Sequence, residues 1–433
     1  MADDALSAYD AQVRGHVPRF PPVGAVVERD GPVVRTHYGT HGRVEHRGPA
    51  DGDLRQVIRR QQAAFAERAE PVEWRVPEHH GIPLGELLTE AGFRPGWRRS
   101  VLVAGIDGPA ATAVPSSGRA VRGVGGRDRQ MAERVRALAV ASGPHRTPLA
   151  EVEADGRVRF SELNVLALTE SERVLGVGWA EFVDGTEFVA IGGLTGPHTE
   201  FLPVWRQWAR SGPTRYLGWN PPDPRYLLAE ADGPIRSALT ASGFREITTV
   251  RSYHWTPPGT PATSRPVTML FDEPGHDALW DGFAGRFAFR PSTAVFPAID
   301  EPAPSSTWRL AAGGGRGTTA ALDAAVRGGL RRCARPGESL YWLDWQHPGY
   351  RFDPWRVGTP GRPRWPGSAY PNGDYYLYLT ADLRLGTFGH PWERTLCVFG
   401  AELLAEVADE ITALLGSPIR RDGHGADGRA PSP

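Results

Sequence analysis

The chain has 433 residues, a hydrophobic fraction of 40% and a formal net charge of −1, a size that suits two or three domains with their own cores. That charge balance gives no electrostatic case for nucleic acid or an anionic membrane, and no apolar run approaches a membrane span. All 49 Lys/Arg positions are arginine, so Schiff-base chemistry, a pyridoxal-phosphate anchor and a phosphate-binding P-loop are excluded for want of a lysine ammonium.

The N-terminus, MADDALSAYD, is acidic and polar rather than a secretory signal. Cys333 and Cys397 read as reduced thiols, and the expected location is the cytoplasm. Ala25–Glu28 and Val33–Thr36 flank Arg29-Asp30-Gly31 and predict a hairpin. His37, His41 and His46 follow without ligand-like spacing and read as loop histidines, with Gly39 and Gly42 as turn residues. No metal is expected. Asp53–Arg68 predicts an amphipathic helix with Leu54, Val57, Ile58, Gln61 and Phe65 on one face. Val72–Val76 reads as a strand, and Leu84–Ala91 as a helix stopped by Gly92.

The word Leu88–Arg94 (LTEAGFR) returns as Leu239–Arg245 (LTASGFR), a shift of 151 residues. Each copy follows a strand and a short helix and leads into a β-like run, the mark of duplicated units. A Pro/Ala/Ser/Gly linker at 107–118 separates them. After it, the Gly-rich run Arg122–Asp128 opens a helix with Met131, Val135 and Leu138 on one face and Asp128 as its cap. Asn164–Leu168 is a strand. Val174–Phe182 and Thr186–Leu194 form a hairpin about Asp184-Gly185. A break at Thr195–Pro197 precedes a helix around Leu202, Trp205, Trp208 and Ala209. Tyr226–Glu230 is a strand, a short helix ends at Gly243, and Ile247–Trp255 closes the unit.

This order of hairpin, helix, strand, helix, Gly-Phe and strand resembles the acyl-CoA-binding core of the GNAT acyltransferase superfamily. The expected fold class is α+β (mixed α/β): GNAT-like mixed-sheet units in tandem at 1–106 and 119–256, then a separate domain. The resemblance implies acetyl-CoA or another acyl-CoA as donor. Its pantetheine would lie along the backbone of Ile191, Gly192, Gly193 and Leu194, leading into Thr195 and Gly196. It also implies a carboxylate base, for which Glu181 and Glu187 are candidates ahead of Glu230 and Asp232. A tyrosine would protonate the leaving thiolate, and Tyr253 is the nearest. The family's pyrophosphate loop has the pattern Arg/Gln-x-x-Gly-x-Gly/Ala at a helix N-terminus. Gly196–Pro203 (GPHTEFLP) departs from it, with one glycine, two prolines that lack N–H groups, and the Glu200 carboxylate. Arg206, Arg210 and Arg215 are nearby cations that could compensate.

A Pro-rich linker at 257–266 leads into a Trp-rich α+β domain at 267–422, followed by a polar tail at 423–433 expected to be disordered. Phe287–Ser292, Leu343–Pro354, Pro371–Tyr376 and Gly386–Glu393 resemble words of an uncharacterised family, domain of unknown function 2716. Ser339–Trp345 and Asp374–Leu379 read as strands, Ala320–Arg332 and Ala401–Leu415 as helices. Asp344, His347, Tyr350, Arg351, His390, Trp392 and Glu393 could converge on a pocket for a small polar ligand. Alternatively, they cap turns and lock the aromatic packing. Two functions follow: an acyl-CoA-dependent N-acyltransferase acting on a small-molecule amine, or a non-catalytic binding protein on that scaffold with its ligand in the C-terminal domain. A third reading makes the C-terminal domain the enzyme, through His347 or His390.

Overall fold

A computed structural model describes residues 2–18, 21–47, 53–81, 83–107, 118–124, 163–171, 173–213, 221–270, 274–310 and 315–425. The helix expected to carry Met131, Val135 and Leu138, with its Asp128 cap, lies outside the described residues, as do Arg215, linker residues 108–117 and tail residues 426–433. The chain divides into two compact units, Met1–Thr263 and Ser264–Pro433. No helix among the described residues is long and apolar enough to cross a membrane.

Unit 1 contains α1 (Ala2–Gln12), β1 (Val26–Asp30), β2 (Val33–His37), β3 (Gly42–His46), α2 (Leu54–Ala66), β4 (Val72–Pro77), α3 (Leu84–Glu90) and β5 (Arg94–Gly105). It continues with β6 (Arg119–Gly123), β7 (Leu163–Glu170), β8 (Arg173–Phe182), β9 (Phe188–Gly192), α4 (Leu202–Arg210), β10 (Tyr226–Ala231), α5 (Gly233–Ala241) and β11 (Arg245–Trp255). Local chemistry sets these elements. Asp53 caps α2 by accepting from the N–H groups of Arg55 and Gln56, worth about 1 kcal/mol. Val57, Ile58, Gln61 and Phe65 of that helix are buried, as its periodicity requires. Gly42 is a strand residue rather than a turn: a Cβ there would lie 1.9 Å from the Phe65 ring, so only glycine lets α2 settle on β3.

The eleven strands among the described residues form one sheet in the order β1-β2-β3-β4-β11-β5-β10-β9-β8-β7-β6. Neighbours are antiparallel except at β3/β4 and β9/β10, which are parallel. The closing strands are exchanged: β11 lies between β4 and β5, and β5 lies against β10. Each core is therefore completed from elsewhere in the sequence. Tyr253 and Trp255 pack against the cluster of Val57, Phe65, Trp74, Leu88 and Phe93, while Leu102 and Ala104 join that of Ile191, Trp205, Leu239 and Phe244. The 107–118 boundary divides the chain but not the sheet. Where β5 meets β11, Arg94 pairs with His254 and Val103 with Arg245, and a shift of 151 turns each pair into the other. One face of the sheet carries α2 to α5. The opposite face carries α1, whose Ala5 and Tyr9 meet Val101, Val103, Phe188, Leu228 and Val250.

Unit 2 is α+β. It runs β12 (Val267–Leu270), α6 (Pro274–Phe287), β13 (Ser305–Arg309), α7 (Arg316–Cys333), β14 (Leu340–Asp344) and β15 (Gly349–Phe352). Then come β16 (Tyr376–Thr380), β17 (Gly386–His390), β18 (Thr395–Phe399), α8 (Ala401–Leu415), β19 (Arg420–Arg421) and β20 (His424–Gly425). Its nine strands among the described residues are antiparallel in the order β12-β15-β14-β16-β17-β18-β13-β19-β20. Phe283 and Phe287 of α6 pack on Leu343, Leu377, Phe388 and Phe399 on one face. On the other, Trp308 of β13 donates to Thr412 of α8, and Gly329 lets α7 close on Val407 of α8.

Candidate functional site

In unit 1 the candidate site is an opening between β9 and β10. Their parallel ladder ends at Ile191 opposite Ala229, yet β9 runs on to Gly192 and β10 to Ala231. Among the described residues, no strand pairs with Gly192 on its β10 side. Gly193 then turns with φ +60, and Thr195 returns to β8, its N–H donating to Val177 O at 2.9 Å. Trp179, opposite Gly192, lays its ring over both glycines: a Cβ on Gly192 or Gly193 would fall 2.5 or 2.8 Å from it. The Trp179 indole N–H is buried without a partner among the described residues. Side chains alternate across a strand, so Glu181 shares Trp179's face, opposite Ala190. Glu230, one residue past the ladder's end, shares it too.

The sequence candidates separate here. Ile191 and Gly192 border the opening, while Glu181 lies on the neighbouring β8, opposite Ala190 and two positions before Gly192, on the face that bears Trp179. Glu187 stands at the other end of β9, roughly 17 Å along the strand. There Gln12 donates to it at 3.0 Å and Arg225 at 3.2 Å, and the Gln12 bond, with Arg225 behind it, holds its carboxyl below the usual range. It is a clasp for α1. Tyr253 is on the α2–α3 face, against Gly85, and four strand spacings from β8, about 19 Å. The structure does not bring it to the opening. Glu230 is bonded to Arg75, which also donates to Glu45 at 2.9 Å. Burial raises its pKa, but the Arg75 charge outweighs this and the carboxyl stays ionised. Asp232 makes an exposed ion pair with Arg99 at 3.5 Å.

The segment where the family's pyrophosphate loop would lie is folded back on β8. A Cβ on Gly196 would lie 2.1 Å from Leu175 O. The N–H groups of His198 and Glu200 donate within the segment, to Gly196 O at 2.8 Å and Pro197 O at 3.3 Å. Glu200 pairs with Arg119 at 3.2 Å. Arg206 is buried in α4, where burial, and then Arg210, lower its pKa. These residues do not make a phosphate cradle.

In unit 2 the expected pocket divides between the two faces of the sheet. Asp344 pairs with Tyr376, and Tyr376 pairs with Gly389, so His390, one residue on, faces the other side. On Asp344's side, His347 Nδ1 lies 3.2 Å from Asp344 Oδ1 and 3.7 Å from Asp374 Oδ2. Trp342, Tyr350 and Tyr376 form an aromatic floor, with ring centroids 5.9 and 5.0 Å apart. Burial raises the carboxyls of both aspartates, and Asp374 adds to this at Asp344. Asp374 and Tyr376 were not singled out by sequence, although both fall in the word Pro371–Tyr376. Trp179 was likewise missed.

His390, by contrast, is fully buried between Phe296 and Tyr375, each ring 4.9 Å away. Trp392 is beside it at 6.1 Å. Its Nδ1 accepts from Glu393 N–H at 3.1 Å, and its Nε2 has no partner among the described residues. Arg351 is exposed and lies near Tyr341 and Leu279. Glu393 accepts from Arg420 and Thr395. His390 and Glu393 thus take part in the packing of unit 2.

Burial lowers the His390 pKa from 6.5 to about 4, with the Glu393 charge opposing and Arg420 assisting. The unfolded chain therefore takes up a proton that the folded chain refuses. This contribution is complete above pH 6.5, is lost as pH falls through the window, and levels off below 4. It amounts to about 3 kcal/mol. Urea midpoints at pH 7.5 and 4.5 check it: His390→Asn, whose Oδ1 can keep the Glu393 bond, should show a smaller acid loss than wild type. Equal losses would refute the assignment.

Unit 1 is thus a mixed sheet open between two parallel strands, and unit 2 an antiparallel sheet with a polar cluster at its strand ends. Residues 270–404, within unit 2 apart from its ends, match the family described as "Protein of unknown function (DUF2716)". A stretch of 95 residues, 22% of this chain, is 33% identical to the uncharacterized protein YxiI of Bacillus subtilis (strain 168) and covers 59% of that protein's length. Over 60% of the chain there is similarity to a GCN5-related N-acetyltransferase from Kribbella flavida (13% identity, 96% of that chain, TM-score 0.40). A GCN5-related N-acetyltransferase from Sphaerobacter thermophilus is similar over the same share (14% identity, 87% of that chain, TM-score 0.40). So is a tandem GNAT protein from the clavulanic acid biosynthesis pathway (13% identity, 95% of that chain, TM-score 0.37). At these scores the architecture of unit 1 rests on its own sheet order.

Proposed function

We propose that the protein is a cytoplasmic N-acyltransferase that moves an acyl group from a pantetheine thioester, such as acetyl-CoA, to a small-molecule amine at the opening between β9 and β10. The observation that carries this reading is the edge of Gly192 beneath the Trp179 N–H, neither of which has a partner among the described residues. A strand edge and a spare donor are what pantetheine amides need to replace their water. Bound there, a thioester supplies an electrophilic carbonyl and a leaving thiol. Glu181 accepts the proton that the attacking amine loses as its C–N bond forms, the thioester C–S bond breaks and the leaving thiolate takes a proton from solvent, while Trp179 donates to the thioester arm. Tandem duplication is the accompanying inference, supported by the symmetric register of β5 and β11.

The folded-back Gly196–Pro203 segment sets the affinity. A cradle hydrogen bond to charged phosphate is worth about 1.5–3 kcal/mol, so lacking two such bonds weakens CoA by roughly 10²–10⁴-fold. Calorimetric titration with acetyl-CoA and with acetyl-pantetheine tests this, alongside thiol release with an amine panel. The expected result is binding of both, with Kd values within about tenfold of each other. A CoA preference well beyond that would show that the segment grips pyrophosphate after all. No binding of either at millimolar concentration would overturn the acyltransferase reading and leave the alternative, a scaffold whose ligand sits in unit 2.

A further inference from the structure

We propose that Asp344, His347 and Asp374 bind a divalent transition-metal ion through His347 Nδ1 and one oxygen from each carboxylate. The three donor atoms lie within 4.8 Å of one another, with Nδ1 at 3.2 Å and 3.7 Å from the two oxygens. Ligands held about 2.1 Å from a common ion stand roughly 3.0–3.4 Å apart in octahedral or tetrahedral arrays. The two His347 contacts stand close to that spacing, and the carboxylate oxygens, no more than 4.8 Å apart, close the rest by side-chain rotation when they ligate. Backbone bonds hold it near that geometry. Trp345 N–H donates to Tyr375 O at 3.1 Å, tying the two strand ends together, and His347 N–H donates to Asp344 O at 3.1 Å. Asp374 Oδ1 accepts from Tyr375 N–H at 2.9 Å, which turns Oδ2 toward the imidazole.

A plain ion pair accounts for this arrangement poorly. One ring nitrogen faces two carboxylates that are 16% and 18% exposed, and Nδ1 has a single proton to give. A cation can engage both oxygens and the nitrogen together. One imidazole with two carboxylates favours Zn²⁺, Mn²⁺ or Fe²⁺ over the all-oxygen preference of Ca²⁺ and Mg²⁺. The two carboxylates cancel the ion's charge, and the exposed His347 side leaves positions for water or a polar ligand.

The test uses the full chain after chelator treatment and dialysis, titrated calorimetrically with ZnCl2, MnCl2 and MgCl2. The expected result is one equivalent of Zn²⁺ or Mn²⁺ bound at micromolar Kd or tighter, with Mg²⁺ far weaker. His347→Ala removes a ligand that is 59% exposed, so the fold should survive, and affinity should fall by roughly 100-fold or more. Asp374→Asn, which keeps the Tyr375 bond, should do the same. Absence of Zn²⁺ and Mn²⁺ binding to wild type at 1 mM scale (roughly the weakest useful range) would overturn the proposal. So would unchanged affinity in both variants, since the ion would then sit elsewhere. Either failure leaves the reading of unit 1 intact.

Discussion

Replacing Glu181 by Gln is expected to lower the rate of acyl transfer by roughly 10²–10⁴-fold, the usual contribution of a positioned general base, with little change in thioester affinity. The substitution keeps shape and removes only the ability to take a full proton. Glu181 lies opposite Ala190 on β9, two positions before Gly192, or about 7 Å along the strand, and on the face that bears Trp179. Glu187 is committed to Gln12 and Arg225 at the far end of β9, and Glu230 is neutralised by Arg75. Thiol release at saturating thioester separates the outcomes. A Gln variant within tenfold of wild type (about 1.4 kcal/mol) would mean that water or the acceptor itself removes the proton. A proportional loss in binding would mean that Glu181 holds the donor instead.

Replacing Arg420 by Met should destabilise unit 2 by about 3–5 kcal/mol, the cost of stranding buried charge. Arg420 is 9% exposed, Glu301 2% and Glu393 11%. Its guanidinium donates to Glu301 Oε1 at 2.9 and 2.7 Å and to Glu393 Oε2 at 3.0 Å. It thereby pins β19 to the turn after β17 and to the loop before β13. Burial lowers the Arg420 pKa, but its two carboxylates outweigh this and hold the group protonated. Urea unfolding followed by near-ultraviolet dichroism, to which the tryptophans of unit 2 contribute, reads the loss. Adding Glu301→Gln and Glu393→Gln should recover much of it, because neutral amides no longer require a countercharge. A single-variant loss below about 1 kcal/mol would place the network among ordinary surface pairs.

Sequence and structure agree most closely where a pattern is local. The apolar face of the helix expected over Asp53–Arg68 and found at Leu54–Ala66, the Gly92 and Gly243 stops and the strands around Asp184-Gly185 are all written within a few residues. The observed hairpin is looser than a two-residue turn: β8 ends at Phe182 and β9 begins at Phe188, with Val183 N–H donating to Phe188 O at 2.9 Å. Gly42 shows the limit of local reading. Beside Gly39 it looked like turn punctuation, yet its smallness serves the Phe65 ring, 23 positions later in the chain. The histidines beside it do not form a cluster: His37 bonds to Glu70 at 2.8 Å, while His41 stacks on Tyr38.

By itself, then, the sequence determined the element types, the mixed α/β class, the Gly-Phe-Arg echo and the departure from the phosphate loop. These depend on side-chain spacing, torsion preference and missing N–H groups, all properties of neighbouring residues. Tertiary structure alone decided the exchange of β5 and β11, the removal of Tyr253 to the far face, the separation of His390 from Asp344, and the meeting of His347 with Asp374. Those outcomes depend on which strands pair and in what register. A register shift of one residue reverses the face of every side chain on a strand, and pairing between distant segments leaves no periodic mark in either.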